Sequence, residues 1–120
     1  MIFKTGVDIV AISRFDGQLL SNQNFLNLCF TSLEQQYCLS KANPAQHFAA
    51  RFAAKEAVIK ALSGFNLYLE HKKIEIGNNI DGRPYVIFLT DDPIFNTVTV
   101  DISLSHSDAS AIAFVIITLV

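Results

Sequence analysis

Apolar residues recur along residues 44–62 with the spacing of a long helix. The stretch RFAAKEAVIKAL, residues 51–62, contains no helix breaker, and Pro44 stands before it where a helix can begin. At about 100° per residue, large apolar side chains fall on one arc, and alanines cover most of the other side. The arc comprises Phe48, Phe52, Val58, Ile59 and Leu62, and the alanines are Ala49, Ala50, Ala53, Ala54, Ala57 and Ala61. The pattern therefore predicts a helix that is packed on both sides.

Three charged residues of this helix, Arg51, Lys55 and Glu56, stand in or beside its apolar arc. Because an unpaired charge is costly to remove from water, each of them needs a partner. Phosphate groups would suit the two cations, and a metal ion would suit the carboxylate. The alternative is that the cations reach water along their own side chains and that Glu56 pairs with Lys60 one turn later.

The N-terminal part of the chain predicts one strand followed by three short helices. Residues 2–10, IFKTGVDIV, have the composition of a strand, and Asp8 lies in its apolar second half. The side chain of an aspartate at this position must point to solvent, be hydrogen-bonded or have a function. Ser13 can cap the first helix, and Thr31 with Glu34 has the spacing of a capping box for the third. The expected helices cover residues 14–20, 22–30 and 32–40.

The second half of the chain predicts strands. Ser63 and Gly64 end the long helix, with Gly64 as its left-handed cap, and Asp81-Gly82 is a turn signal between two strands. Residues 111–120 are apolar on both faces, so this strand is central in the sheet or covered by a neighbouring subunit. The other strands are expected around residues 74–76, 84–89 and 98–104. Helices in the first half of the chain and hairpins in the second half predict an α+β fold. Its antiparallel sheet would pack against the long helix and the short N-terminal helices.

Composition narrows the class of protein. The 120 residues, which we expect to form one domain over 1–120, are 51% hydrophobic and 17% charged. A small domain has a high ratio of surface to volume, so this apolar content favours burial of part of its surface against another subunit. A net charge of −2 with dispersed cations gives no reason to expect nucleic acid as a partner. The sequence has no apolar run of membrane length and no signal-peptide pattern, so we expect a cytoplasmic protein that does not bind membranes. Cys29 and Cys38 do not have the spacing of metal ligands, so we expect both to be reduced and buried.

Two groups of residues could carry chemistry. Ser105, His106 and Asp108 suggest a hydrolase, but neighbours on a strand point to opposite faces, so the serine and histidine would not meet as nucleophile and base. Asp8 and Glu56 are better candidates, because Mg²⁺ commonly takes one or two protein carboxylates and completes its shell with water and phosphates. With Arg51, Lys55 and Lys60 near them, they would form a magnesium–pyrophosphate site.

The spacing of four short motifs resembles that of a known family. Residues 6–10, GVDIV, and residues 51–57, RFAAKEA, with Lys60 after them, look like the two-part signature of the 4′-phosphopantetheinyl transferases. Residues 81–85, DGRPY, and 102–107, ISLSHS, are similar to two further blocks of the short form of this family. The resemblance spans nearly the whole chain, and the four blocks occur in the family's order.

This resemblance implies an activity and a set of catalytic residues. Such enzymes transfer the phosphopantetheine arm of coenzyme A to a serine of an apo acyl carrier protein and release adenosine 3′,5′-bisphosphate. Asp8 and Glu56 would hold Mg²⁺ against the pyrophosphate, and Lys60 would stabilise the transferring phosphoryl group. The base that accepts the serine proton would be Glu56 or a metal-bound water.

The resemblance also implies where substrates bind. Arg14 would dock the acidic helix of the carrier protein. His106 would lie near the phosphates or base of the nucleotide and could come from the neighbouring subunit, because short-form members are homotrimers with active sites between subunits. The other expected coenzyme A-binding residues are Arg51, Lys55, Ser63, Arg83 and Pro84.

Three departures from the family pattern keep alternatives open. The glycine-rich turn after the long helix is reduced to Ser63-Gly64-Phe65, Ala11 stands where many members carry an acid, and Arg14 is the only basic residue of its predicted helix. A catalytically weak relative that binds carrier protein or nucleotide without transfer is therefore the second interpretation. An unrelated α+β oligomerisation module is the third.

Overall fold

The computed structural model describes residues 2–120 and has an α+β architecture, as predicted. The strands are β1 (Ile2–Ala11), β2 (Ile74–Asn78), β3 (Pro84–Phe88), β4 (Val98–His106) and β5 (Ser110–Leu119). The α-helices are α1 (Gly17–Leu20), α2 (Gln23–Cys29), α3 (Ser32–Leu39) and α4 (Pro44–Ser63). Short 3₁₀ turns lie at Ile12–Phe15, His71–Lys73 and Pro93–Thr97. None of the helices in residues 2–120 is both long and apolar enough to cross a membrane.

The main sheet is antiparallel and has the strand order β1-β5-β4. The apolar strand is therefore central, which is one of the two arrangements that the sequence predicted. Its inward-facing side chains are buried against α4, whereas β2 and β3 form a separate hairpin rather than joining this sheet. The buried residues of β5 are Ala111, Ala113, Val115 and Ile117. The alternation of side chains along β5 thus determines which face of the main sheet packs against α4.

The long helix contacts β1 unusually closely. A Cβ atom added at Gly6 would lie 1.9 Å from the carbonyl oxygen of Ala57, and the small alanines of α4 allow this approach. Glycine is needed at this crossing because the neighbouring atom belongs to the backbone of a helix, which cannot move aside alone. The contact also sets the distance between α4 and Asp8, two residues further along β1.

Replacing Gly6 by alanine is expected to destabilise the fold. The added methyl group would overpack the crossing of β1 and α4, at a cost of at least about 2 kcal/mol in the free energy of unfolding. Urea denaturation measures this change. Gly17→Ala is the matched control, because nothing lies within 4 Å of a Cβ at that position. Equal stability of the two variants would contradict the close contact.

The helix expected over residues 14–20 is wrong in its bounds and its cap. The chain first makes a 3₁₀ turn at Ile12–Phe15, and α1 then begins at Gly17. Asp16 caps α1 by accepting a hydrogen bond from the backbone N–H of Leu19 at 2.9 Å. Aspartate is a strong N-cap and stands three residues after Ser13, so the helix begins there instead.

The other helix predictions hold more closely. The capping box of Thr31 and Glu34 is present at the start of α3, and α4 runs one residue beyond its expected end. The left-handed cap is wrong, because Gly64 has φ −64° and Asn66 takes the positive φ of 57°. Asparagine tolerates this conformation. Gly64 instead meets Lys4, whose Cγ would lie 2.7 Å from an added Cβ.

Candidate active site

The crossing of β1 and α4 brings Asp8 and Lys60 together. Lys60 Nζ lies 3.1 Å from Asp8 Oδ1 and donates to the carbonyl oxygen of Val7 at 2.9 Å. Glu56 precedes Lys60 by one turn, so the two side chains emerge about 40° apart around the helix axis. Asp8 thus contacts Lys60 directly, and Glu56 lies one turn before that lysine on α4.

These three side chains are accessible to a ligand. Their exposed fractions are 19% for Asp8, 31% for Glu56 and 54% for Lys60. The alternative in which Glu56 pairs with Lys60 is wrong, since Lys60 binds Asp8 and Glu56 binds His71. We call Asp8, Glu56 and Lys60 the acidic cluster.

The donor set of the acidic cluster fits a magnesium ion. Asp8 and Glu56 offer carboxylate oxygens, the ligands that Mg²⁺ prefers, and each carboxylate has only one oxygen taken by the contacts above. Within residues 2–120, no group of three or more histidine, cysteine, aspartate or glutamate side chains could hold a metal ion. Two carboxylates suit an ion whose shell is completed by water and substrate phosphates.

His71 belongs to this site and was not singled out in the sequence. Its Nε2 lies 3.1 Å from Glu56 Oε1, and its ring is stacked on Phe52, with centroids 5.3 Å apart and planes inclined by 10°. The residue stands fifteen positions after Glu56 in a 3₁₀ turn. No local spacing signals such a contact, because it depends on how the chain returns along α4.

Lys55 does not join the acidic cluster. It is fully buried, and its ammonium donates to Glu34 Oε1 at 2.7 Å and to the backbone oxygens of His71 and Ile74 at 2.9 and 2.7 Å. Burial lowers the pKa of Lys55, and the Glu34 carboxylate acts in the opposite direction. All three of its protons are thus used inside the protein, and Lys55 neither reaches water nor presents a proton to a phosphate.

Arg51 is also buried, with 3% of its surface exposed, but it is less well satisfied. Its guanidinium lies 4.0 Å from the centroid of the Tyr37 ring, and its Nη2 donates to Asn78 Oδ1. Its Nε has no hydrogen-bond partner within residues 2–120. A buried donor without a partner is costly, so this atom indicates a place for an acceptor from a ligand or water.

A cavity of about 240 Å³ opens beside Arg51, and we call it the basic cavity. Gln46 Nε2 donates to His106 Nε2 at 3.0 Å on its rim. Burial, followed by the charge of Arg51, lowers the pKa of His47, which favours the neutral imidazole there. The lining includes Tyr37, Gln46, His47, Arg51, Asn78, Pro84 and His106. Three predicted coenzyme-binding residues, Arg51, Pro84 and His106, therefore share one cavity.

The remaining predicted residues lie elsewhere. Arg83 is exposed and lines a separate hollow, which it shares with Pro84. Ser63 is exposed at the end of α4, where its hydroxyl donates to the carbonyl oxygen of Lys60 at 2.6 Å. Arg14 is exposed as well, and its guanidinium carbon lies 5.4 Å from the centroid of the Phe52 ring.

The acidic cluster and the basic cavity lie on different sides of α4. Arg51 and Lys60 are nine positions apart, which corresponds to a rotation of about 180° around the helix axis. Each group is suited to part of a phosphorylated ligand, one through Lys60 and a cation that the two carboxylates would hold, and the other through a buried guanidinium.

Known proteins are similar to this chain in sequence and fold. Residues 4–115 match the family model of the 4′-phosphopantetheinyl transferase superfamily. The acyl carrier protein synthase of Mycobacterium tuberculosis is similar in structure, with a TM-score of 0.76 and 33% identity over 98% of this chain and 97% of that chain. The ACPS–CoA complex of Chronobacterium ammoniagenes has a TM-score of 0.84 and 25% identity, covering 100% and 99% of the two chains.

The chain therefore belongs to the 4′-phosphopantetheinyl transferase superfamily, which confirms the resemblance seen in its motifs. Within that superfamily it is similar to proteins named holo-[acyl-carrier-protein] synthase. The protein of that name from Thermodesulfovibrio yellowstonii is 48% identical over 122 residues, which cover 98% of this chain and 100% of that protein.

Proposed function

We propose that this protein is a holo-[acyl-carrier-protein] synthase, which transfers the 4′-phosphopantetheine arm of coenzyme A to a serine of an apo acyl carrier protein. The observation that carries the proposal is the contact of Asp8 with Lys60 at the crossing of β1 and α4, with Glu56 one turn before Lys60 on the same helix. Relatives of nearly equal length that bear this name support it. We propose further that residues 1–120 act as one transferase domain and work in the cytoplasm.

In this proposal Asp8 and Glu56 hold Mg²⁺, which when bound neutralises charge on the pyrophosphate of coenzyme A. Lys60 binds the transferring phosphoryl group. Two of its three ammonium protons are engaged by Val7 and Asp8, and the third is free for a phosphate oxygen. These contacts position charge where it spreads in the transition state, which is the main task of the protein in phosphoryl transfer.

The reaction forms a bond between the serine oxygen and the phosphorus of the phosphopantetheine arm. The bond from that phosphorus to the bridging pyrophosphate oxygen breaks, and adenosine 3′,5′-bisphosphate leaves with the electron pair. The serine proton must be removed, and its acceptor would be Glu56 or a water bound to the cation. The Glu56 carboxylate is partly exposed and lies one turn before Lys60 on α4.

The nucleotide of coenzyme A would occupy the basic cavity. Arg51 supports this assignment, because it lines the cavity and a guanidinium is a strong donor to phosphate oxygens. His106 and Pro84 line the same cavity, with Arg83 and Ser63 assigned to outer contacts with the coenzyme. Lys55 has no proton left for the ligand, so we now assign it to support α4 rather than to bind phosphate.

We also propose a homotrimer with active sites between subunits. The face of the main sheet opposite α4 exposes a group of large apolar residues on β1 and β5: Phe3, Val7, Ile9, Ile112 and Phe114. A patch of this kind supports a protein interface. Such an interface would also let the basic cavity of one subunit serve the acidic cluster of its neighbour. Light scattering after gel filtration should give three times the 13.3 kDa mass of one chain.

The function is tested by incubating the protein with coenzyme A, Mg²⁺ and an apo acyl carrier protein. Mass spectrometry should detect one phosphopantetheine added to the carrier. Binding of the carrier or of coenzyme A without this mass gain would instead favour the catalytically weak relative. Absence of both binding and transfer would contradict the proposed function, whereas the third interpretation, an unrelated module, is already excluded by the family match.

Carrier docking at Arg14 gives a separate expectation. Arg14→Glu places an acid where the acidic helix of the carrier would bind, so KM for the carrier should rise by roughly tenfold while KM for coenzyme A changes little. Steady-state kinetics with each substrate varied in turn measures the difference. Lys73→Glu, the same charge reversal at an exposed position in another part of the chain, is the control. An equal rise in both KM values would argue against docking at Arg14.

A further inference from the structure

The Glu56 carboxylate is held by a neighbour that lies outside the four sequence blocks described above. His71 Nε2 lies 3.1 Å from Glu56 Oε1, and within residues 2–120 it is the hydrogen-bond partner found for this carboxylate. We propose that His71 is a positioning residue, which orients Glu56 so that its other oxygen, Oε2, faces the cation and the phosphoryl group. The inference rests on the proposed function.

The imidazole is itself fixed from two directions. Its ring is stacked on Phe52, with centroids 5.3 Å apart and planes inclined by 10°. Its backbone oxygen accepts a hydrogen bond at 2.9 Å from Lys55, which is in turn anchored to the buried Glu34. Lys55 thus links the core of the protein to the histidine, and the histidine links it to the acidic cluster.

A carboxylate on the surface of a helix needs such a support. Glu56 has three rotatable bonds, and 31% of its side chain is exposed, so its own packing does not select one orientation. Phe52 lies one turn before Glu56 on α4 and holds the ring edge toward the carboxylate. Groups that hydrogen-bond to a metal-binding carboxylate typically change metal affinity or activity by about 10- to 100-fold when they are removed.

Two variants separate the hydrogen bond from the packing of the ring. His71→Phe keeps an aromatic ring on Phe52 but removes the N–H donor. His71→Gln loses the ring but keeps an amide donor near the position of Nε2. Lys72→Gln, in the same 3₁₀ turn and exposed, serves as the control.

The readout is the dissociation constant of Mn²⁺, followed by electron paramagnetic resonance on the full-length protein with coenzyme A present and carrier protein absent. His71→Phe should weaken Mn²⁺ binding by about tenfold or more, whereas His71→Gln and Lys72→Gln should stay within about threefold of the wild type. The loss of transfer by His71→Phe at limiting Mg²⁺ should be largely recovered at saturating Mg²⁺.

Three results would overturn the inference: wild-type Mn²⁺ affinity in His71→Phe, equal weakening in His71→Phe and His71→Gln, or loss of the folded state in His71→Phe. Equal weakening would show that an N–H donor alone does not hold Glu56 in place, and unfolding of His71→Phe would make the polar edge of the imidazole a requirement of the fold. If the wild type neither binds Mn²⁺ nor transfers the arm, the proposed function itself fails. If the wild type does both and His71→Phe matches it, only the role of His71 fails.

Discussion

Asp8→Ala and Glu56→Ala, made one at a time, are expected to lower kcat/KM for the carrier protein on the order of 10³-fold. Each variant removes one of the two carboxylates that would hold the divalent ion against the pyrophosphate. The fold should remain intact, because both side chains are partly exposed and the pair of Asp8 with Lys60 is worth at most about 1 kcal/mol. The transfer assay by mass spectrometry, with circular dichroism of each variant, measures both effects.

Asp91→Ala is the control for this pair of variants, because Asp91 is an exposed acid in the loop after β3. It removes the same kind of charge and should transfer the arm at the wild-type rate. Full activity in Asp8→Ala or in Glu56→Ala would remove that residue from the metal site.

Lys55→Met is expected to lower the free energy of unfolding by about 3–5 kcal/mol. The variant removes one partner of a buried ion pair and leaves the Glu34 carboxylate, which is 1% exposed, without its counter-charge. Two backbone carbonyls would lose their donor as well. Urea denaturation of the variant and the wild type gives the difference.

The double variant Lys55→Met with Glu34→Gln should be more stable than Lys55→Met alone, because it no longer buries an uncompensated charge. Lys41→Met is the matched control, since Lys41 is exposed over the ring of Tyr37 and its loss should cost less than about 1 kcal/mol. Unchanged stability in Lys55→Met, together with a raised KM for coenzyme A, would instead assign Lys55 to the phosphates.

Local sequence patterns predicted the elements because the signals lie within the elements themselves. Pro44 and the absence of breakers predicted the long helix, and Thr31 with Glu34 predicted the start of α3. The two apolar faces of β5 predicted a strand that is central or covered by another subunit, and the first of these holds. The end of α4 was predicted less well, because Gly64 has ordinary right-handed dihedral angles and packs against the side chain of Lys4. That contact comes from a residue sixty positions away.

The candidate site depended on contacts that no local pattern contains. Asp8 reaches Lys60 only because Gly6 lets β1 approach the backbone of α4. The sequence identified Glu34 as part of a helix cap, but its carboxylate also receives Lys55, which resolves the buried charge without a ligand. Long-range packing, rather than helical periodicity, decided which cation faces outward.

The most direct test of the account is a crystal structure of the protein with coenzyme A and Mg²⁺ bound. We expect one ion within about 2.1 Å of an oxygen of Asp8, an oxygen of Glu56 and the pyrophosphate oxygens, with Lys60 beside the phosphoryl group. An ion held by other residues, or a pyrophosphate bound away from Asp8 and Glu56, would contradict it.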